Sequence, residues 1–129
     1  MAWIARRVNA RKQSLRFKKE SKMAQSECIR VRLKPGMTDK FTQWAKQVAN
    51  RHDEARASMT EQGVIEQNIF LERGAGGDFI VLYWKVEDLG KARAVFQRST
   101  RKIELEMTEM VEATWDKSQV VRLEPILEL

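Results

Sequence analysis

The fold is decided by residues 27–36, which read ECIRVRLKPG. Apolar Ile29, Val31 and Leu33 alternate with polar or charged residues, and a period of two is typical of a strand with one apolar face. The Pro-Gly pair that follows ends the strand, because proline removes a backbone donor and glycine permits a turn. Residues 27–33 are therefore predicted to form the first strand of a sheet that buries one face.

A long amphipathic helix is predicted over residues 38–62. Its apolar stripe recurs at steps of three and four residues and consists of Phe41, Trp44, Val48, His52, Ala55 and Met59. Thr38 is predicted to be the N-cap, and Gly63 to be the left-handed residue that ends the helix.

Two more strands are predicted, at residues 64–71 and 79–86, joined by a glycine-rich hairpin loop. The second contains the run FIVLYW, which is apolar on both faces and indicates a central strand. The first has polar residues at 66–68 in mid-run, which indicates an edge strand.

Two helices and a last strand complete the predicted domain. One helix covers residues 87–99, and a second segment has an apolar side formed by Ile103, Met107, Met110, Val111 and Trp115. Its glutamates Glu104, Glu106, Glu109 and Glu112 are expected to face water. With a strand at residues 119–123, the fold class is α+β, with a ferredoxin-like β-α-β-β-α-β antiparallel sheet and helices on one face.

The open face of this sheet is expected to be a dimer interface. Arg30 and Arg32 point there, together with alternate apolar residues of the central strand. An uncovered face of this kind would be an exposed patch, and a two-fold homodimer is its simplest cover. Arg30 and Arg32 then either bind an anion or pair with Glu66 or Glu124 across the interface, and pairing is favoured.

The excess positive charge of the chain is confined to residues 1–22, which hold eight basic residues and one acid. Of the chain's 24 basic and 18 acidic residues, 16 and 17 remain after residue 22, so that part carries −1 against +6 for the whole chain. Specific nucleic-acid binding by the domain is therefore not expected, because phosphate affinity needs clustered positive charge. The central strand also lacks the aromatic pattern of an RNA-recognition domain.

Residues 1–22 have three interpretations. They are a mitochondrial targeting segment, an arm for nucleic acid or anionic membrane, or an extension before a natural start at Met23. The preferred division is a basic, disordered or non-native tail over 1–22 and a ferredoxin-like domain over 23–129. The expected location is the cytoplasm, or the mitochondrion if the tail is a targeting peptide.

Composition excludes several classes of site. Cys28 is the only cysteine and His52 the only histidine, so neither an intramolecular disulfide nor a Cys/His zinc site can form within one chain. No apolar run approaches the roughly 18 residues of a membrane span. There is no G-x-S-x-G motif for serine hydrolysis. No metal and no cofactor are predicted.

His52 and three aromatic residues are the candidate site. His52 is either a general base or ligand in a pocket between helix and sheet, or a core histidine held by one hydrogen bond, and the second is favoured. A dyad would need a carboxylate or amide, which the residues at 66–68 could supply. Trp44, Tyr83 and Trp84 either line a pocket for a flat apolar ligand or belong to the core, and the core is again favoured.

Several segments together resemble a known family. They are Ile29 to Gly36, Trp44, Glu66 with Phe70-Leu71, Tyr83, Glu87-Asp88-Leu89 and the helix ending at Ser99. Over roughly residues 27–99, and more weakly to Trp115, the chain is similar to a small family of uncharacterised bacterial proteins in the dimeric α/β-barrel superfamily. The resemblance implies a ferredoxin-like protomer and a sheet-to-sheet homodimer, and it implies no activity.

Two functions from different classes follow. The first is a small dimeric binding or stress-associated protein. The second is a cofactor-independent, monooxygenase-like enzyme with a pocket between the long helix and the sheet, in which His52, Tyr83 and Trp84 surround the substrate. An open cavity with His52 hydrogen-bonded to a carboxylate would justify an enzyme assay, whereas a closed interior would indicate a scaffold.

Overall fold

A computed structural model describes residues 24–129, and the predictions for residues 1–22 lie outside this part of the chain. The elements are β1 (Gln25–Leu33), α1 (Thr38–Asn50), α2 (His52–Gln62), β2 (Val64–Glu72), β3 (Phe79–Val86), α3 (Leu89–Arg98), α4 (Lys102–Thr114) and β4 (Trp115–Arg122). The described part is thus an α+β domain with a four-stranded antiparallel sheet and four helices.

The sheet has the strand order β2-β3-β1-β4, with every neighbouring pair antiparallel. The predictions that β3 is central and β2 lies at an edge are confirmed. Alternation also holds, because Ile29, Val31 and Leu33 are buried while Arg30 and Arg32 are only partly covered. One face of the sheet therefore carries the core, and the other carries Arg30 and Arg32.

The strand β4 begins earlier than predicted. Trp115 was expected on the last helix, but it starts β4 and pairs with Leu33, while Val120 pairs with Val31. Residues 116–119 therefore form a bulge opposite a single residue of β1. The bulge places the fully buried Trp115 ring against Phe41, with 6.3 Å between ring centroids.

The prediction of one helix over residues 38–62 is wrong, because the helix breaks at Arg51. The backbone of Arg51 has φ −106° and ψ 50°. Its N–H donates to the carbonyl of Val48, three residues earlier, whereas the α-helical pattern joins residues four apart. Its guanidinium contacts Glu54 of α2 at 2.7 Å and Glu106 of α4 at 2.6 Å. These contacts hold the junction in place.

The resulting element order is β-α-α-β-β-α-α-β, which departs from the strict ferredoxin-like β-α-β-β-α-β order. The first connection contains two helices where one was predicted, and the second contains two helical segments, as the sequence indicated. The helices pack against one another as well as on the sheet, since α1 contacts α4 and α2 contacts α3, α4 and β2.

The helix ends agree partly with prediction. Gly63 has φ 75° and ends α2 as the left-handed residue, as predicted. Thr38 is the first helical residue and not the N-cap, which is Met37. The Thr38 hydroxyl instead donates to Asp78 Oδ2 at 2.7 Å, so it links the start of α1 to the end of the hairpin loop.

The sequence predicts no membrane-spanning segment, and the structure can be compared with this prediction for the described helices. Within residues 24–129, no helix combines the length and the apolar character that crossing a bilayer requires.

Replacement of Leu82 by Ala tests which face of β3 is core. Leu82 is completely buried, so the change should lower the free energy of unfolding by about 2–5 kcal/mol. Leu105→Ala is the control, because Leu105 is 51% exposed and should change stability by less than about 0.5 kcal/mol. Urea unfolding measures both, and equal losses would contradict the assignment.

Candidate functional site

A cavity of about 430 Å³ lies between the helices and the core face of the sheet. Its apolar lining consists of Trp44, Ala45, Val48, Ala49, Ala55, Met59, Ile69, Trp84, Ala92, Phe96, Ile103 and Met107. Its polar lining consists of His52, Gln62, Gln67, Asn68 and Arg93. Ala49, His52 and Asn68 are exposed, so the cavity opens to solvent.

The two tryptophans of the cavity wall come from opposite layers. Trp44 lies on the buried side of α1, and Trp84 lies on the core face of β3. Both were predicted to be either ligand-binding or core residues, and the structure shows them buried beside a cavity. Each is at most 9% exposed, yet each lines the cavity.

A buried carboxylate fixes the Trp84 ring. Glu27 pairs with Trp84 across β1 and β3, and Glu27 Oε1 accepts a hydrogen bond from Trp84 Nε1 at 2.8 Å. Glu27 Oε2 is buried and has no hydrogen-bond partner among residues 24–129, and Arg122 Nε lies 3.8 Å from it. Burial raises the pKa of Glu27 above its ordinary value of 4.5, although the Trp84 hydrogen bond and Arg122 oppose this change.

His52 is not the core histidine that the helical stripe predicts. Its side chain is 72% exposed, because the break at Arg51 makes it the first residue of α2 and changes its direction. It lines the cavity, but its Nδ1 lies 4.0 Å from Asp53 Oδ1, beyond hydrogen-bond range. Within residues 24–129 it has no hydrogen-bonded carboxylate or amide, so no dyad is formed.

The proposed group of Trp44, His52, Tyr83 and Trp84 is divided between the two faces of the sheet. Tyr83 pairs with Cys28 and Asn68 and points to the open face, away from the cavity. There it hydrogen-bonds to Glu66, which raises the pKa of the Tyr83 hydroxyl. Of the three β2 residues proposed as partners of His52, Gln67 and Asn68 border the cavity and Glu66 does not. Only Gln67 pairs with Trp84 on the core face, whereas Asn68 pairs with Tyr83 on the open face.

Sequence reasoning missed a buried polar cluster behind the cavity. Glu104 was expected to face water, but it is 4% exposed and accepts a hydrogen bond from Ser58 Oγ. Gln62 donates to Ser58 Oγ at 2.9 Å and to the Ser58 carbonyl at 3.2 Å, and Gln62 also lines the cavity. The signal that could have revealed the cluster is the spacing of Ser58 and Gln62, because polar residues four positions apart lie on the same face of a helix.

The other missed residues are Arg93 and the small residues of the wall. Arg93 lies on α3, and its side chain is partly buried. Ala45, Ala49 and Ala55 leave space opposite the sheet where larger residues would fill it. Small residues on a core-facing helix could have indicated a cavity. The sequence alone does not show which face of the sheet these residues oppose.

The predicted interface residues lie on the open face and already have partners within the chain. Arg30 Nε contacts Glu72 Oε1 at 2.8 Å, and the Arg30 guanidinium lies 3.7 Å from the centre of the Phe79 ring. Arg32 donates to the carbonyl of Gly76.

Metal-ligating side chains are not clustered in the described part of the chain. Among residues 24–129, no group of three or more His, Cys, Asp or Glu side chains is arranged to hold a metal ion.

The buried Glu27 should make stability depend on pH. A carboxyl whose pKa is raised by folding favours the protonated native state, so its contribution is full below pH 4.5 and is lost as the pH rises through the higher native pKa. Glu27→Gln keeps an acceptor for Trp84 but cannot ionise. The free energy of unfolding of the variant minus that of the wild type should therefore increase from acidic to neutral pH. Urea unfolding at a series of pH values measures this, and a flat or falling difference would contradict the assignment.

The chain shares its fold with a solved structure of low sequence identity, and two further solved structures are less similar. A conserved protein from Methanosarcina mazei Go1 matches with a TM-score of 0.52 and 15% identity, over 83% of this chain and 97% of that one. A protein from Pseudomonas aeruginosa matches with a TM-score of 0.48 and 12% identity, over 79% and 93% of the two chains. A protein of unknown function from Nitrosomonas europaea matches with a TM-score of 0.45 and 16% identity, over 81% and 90%.

A family of related sequences also matches the chain. No protein of curated function matches the chain significantly. The family of unknown function DUF6176 matches residues 24–129, which include every described strand and helix. The predicted relation to an uncharacterised family is confirmed at that level, and the chain belongs to the DUF6176 family of unknown function.

Proposed function

We propose that this protein binds a flat, apolar small molecule in the cavity between its helices and its sheet, and that it does so as a homodimer. The observation that carries the proposal is the cavity itself. Its volume of about 430 Å³ is within the range of ligand pockets, roughly 300–1,000 Å³. Protein interiors otherwise contain few voids larger than a water molecule.

The chemistry of the lining supports an apolar, flat ligand. Apolar residues form most of the wall, and the indoles of Trp44 and Trp84 provide flat surfaces. Polar groups are few, as in sites where a small number of them orient a mainly apolar ligand. Binding would remove these apolar surfaces from water, which is favourable in proportion to their area.

A binding role fits the site better than catalysis. The enzyme alternative needs an oriented acid or base beside the ligand, and His52 is exposed without a hydrogen-bonded partner among the described residues. Tyr83, the third member of the proposed catalytic surroundings, faces the other side of the sheet. Nothing in the geometry or in the family supports the enzyme alternative.

The open face of the sheet supports the homodimer as part of the proposal. It bears Phe70, which is 59% exposed, and Val121, which is 51% exposed, beside the partly covered Phe79. The chain end adds further exposed apolar side chains, and Glu128 near it accepts a hydrogen bond from Ser26 of β1 at 2.7 Å. A second copy of the chain would cover this apolar surface.

The charged residues of the open face favour the same arrangement. Burying an unpaired charge in an interface is costly. Arg30 would enter the interface already paired with Glu72 and stacked on Phe79, and Glu66 would enter bonded to Tyr83. The proposed interface residues Arg30, Arg32 and Glu66 therefore have partners before the second subunit arrives.

A reducing compartment such as the cytoplasm is the proposed location. The support is Cys28, the chain's single cysteine, which is a free thiol on β1. Disulfides are typical of secreted proteins, and this chain uses none of its own.

Ala49→Trp should block the cavity. Ala49 is exposed and lines the mouth, so an indole there should occupy ligand space without disturbing the core. The neutral fluorescent probe N-phenyl-1-naphthylamine should bind at least about tenfold more weakly to this variant. Ala57→Trp is the matched control, because Ala57 is an exposed helical alanine outside the cavity lining. Equal affinity of both variants would place the probe elsewhere and contradict the proposal.

Phe70→Glu should convert the dimer to a monomer. The change places a charge on the exposed part of the open face, where a second subunit would have to bury it. Leu105→Glu is the control, since Leu105 is similarly exposed but lies on α4. Light scattering after size-exclusion chromatography gives the masses, and a monomeric wild-type protein would rule out the dimer.

A further inference from the structure

Arg93 is a permanent positive charge in the wall of the cavity. A guanidinium does not lose its proton in proteins. Arg93 has no ion pair with any residue of 24–129, whereas four other arginines lie against glutamates. These are Arg30 with Glu72, Arg51 with Glu54 and Glu106, Arg101 with Glu61, and Arg122 with Glu27. The charge of Arg93 is therefore available to a ligand.

The described lining of the cavity contains no carboxylate that would neutralise this charge. The two nearby buried carboxylates have other contacts. Glu27 lies behind Trp84 and accepts its indole hydrogen, and Glu104 accepts from Ser58 and interacts with Arg101. A charge in a mostly apolar cavity interacts more strongly with an opposite charge than it would in water.

The remaining lining complements an anion on an aromatic body. Arginine presents a planar fork of donors that matches a carboxylate in two parallel hydrogen bonds. Gln67 pairs with Trp84 on the core face of the sheet and adds an amide group to the same cavity, and Trp44, Trp84 and Phe96 add aromatic surfaces. A single guanidinium balances one negative charge, which favours a carboxylate over a phosphate dianion.

We infer that the ligand is an aromatic carboxylate, with its carboxylate at Arg93 and its ring system against the indoles of Trp44 and Trp84. This inference rests on the proposed binding function and adds the charge class of the ligand. It does not depend on the homodimer.

Two probes of the same shape, one charged and one neutral, test the inference. They are 2-naphthoate and its neutral isostere 2-naphthamide, each titrated calorimetrically into the full chain at neutral pH. The wild type should bind 2-naphthoate at least about tenfold more tightly, because a hydrogen-bonded charge pair adds to the shared burial of the rings. This comparison requires no variant, so it stands even if substitution at Arg93 impairs folding.

Two matched variants then locate the charge. Arg93→Gln should remove the preference for 2-naphthoate and leave 2-naphthamide binding within about twofold of wild type. Arg98→Gln removes the same charge from the same helix, outside the cavity lining, and should keep the preference. Circular dichroism and thermal unfolding confirm that both variants are folded.

The outcomes separate the two proposals. If the wild type binds both probes equally, or if Arg93→Gln keeps the preference, the carboxylate inference is overturned while cavity binding stands. If neither probe binds and N-phenyl-1-naphthylamine also fails to bind, the proposed function is overturned, and the inference with it. If Arg98→Gln loses the preference for 2-naphthoate as strongly as Arg93→Gln does, the preference arises from long-range electrostatic attraction. That result would also overturn the assignment to Arg93.

Discussion

A single-layer sheet satisfies its backbone hydrogen bonds between its strands, but it must bury its apolar face against something else. The rest of this structure depends on that constraint. Alternate residues of β1 and β3 are fully covered by helices on one side, while their neighbours in the sequence point to the other. The helices form the second layer that covers this face, but they do not fill all the space above the sheet. The space that remains is the cavity. The opposite face pairs Arg30 with Glu72 within the chain and leaves apolar side chains such as Phe70 uncovered.

The strands were predictable because their signal is local. The alternation around Val31 and the apolar run of β3 are direct consequences of strand geometry, and both predicted a sheet position that the structure has. The break at Arg51 was not predictable in the same way. Neither Asn50 nor Arg51 is a glycine or proline, so the helical period of the sequence continues through them. What stabilises the break is the contact of Arg51 with Glu106, a residue of another helix 55 positions away.

The site was predictable only in part, and the helix break explains much of the difference. Trp44 and Trp84 were identified because large aromatic residues on core faces are prominent in any sequence. His52 was placed at the centre of a stripe that assumed a continuous helix, and the change of direction at Arg51 moved it to the rim. Glu104 was assigned to water because its polar partner, Ser58, lies on a different helix. Arg93 had no signal of its own, since only the packing of α3 places it in the cavity wall.

The contact between Trp84 and Glu27 has a spectroscopic consequence. The indole ring lines the cavity, while its nitrogen donates to a carboxyl group whose pKa is raised by burial. The excited state of an indole responds both to groups that contact its ring and to charge near its nitrogen. Trp84 emission therefore reports two separate events, occupation of the cavity and ionisation of Glu27. Trp84 is thus an intrinsic fluorophore in contact with both the cavity and a buried acid.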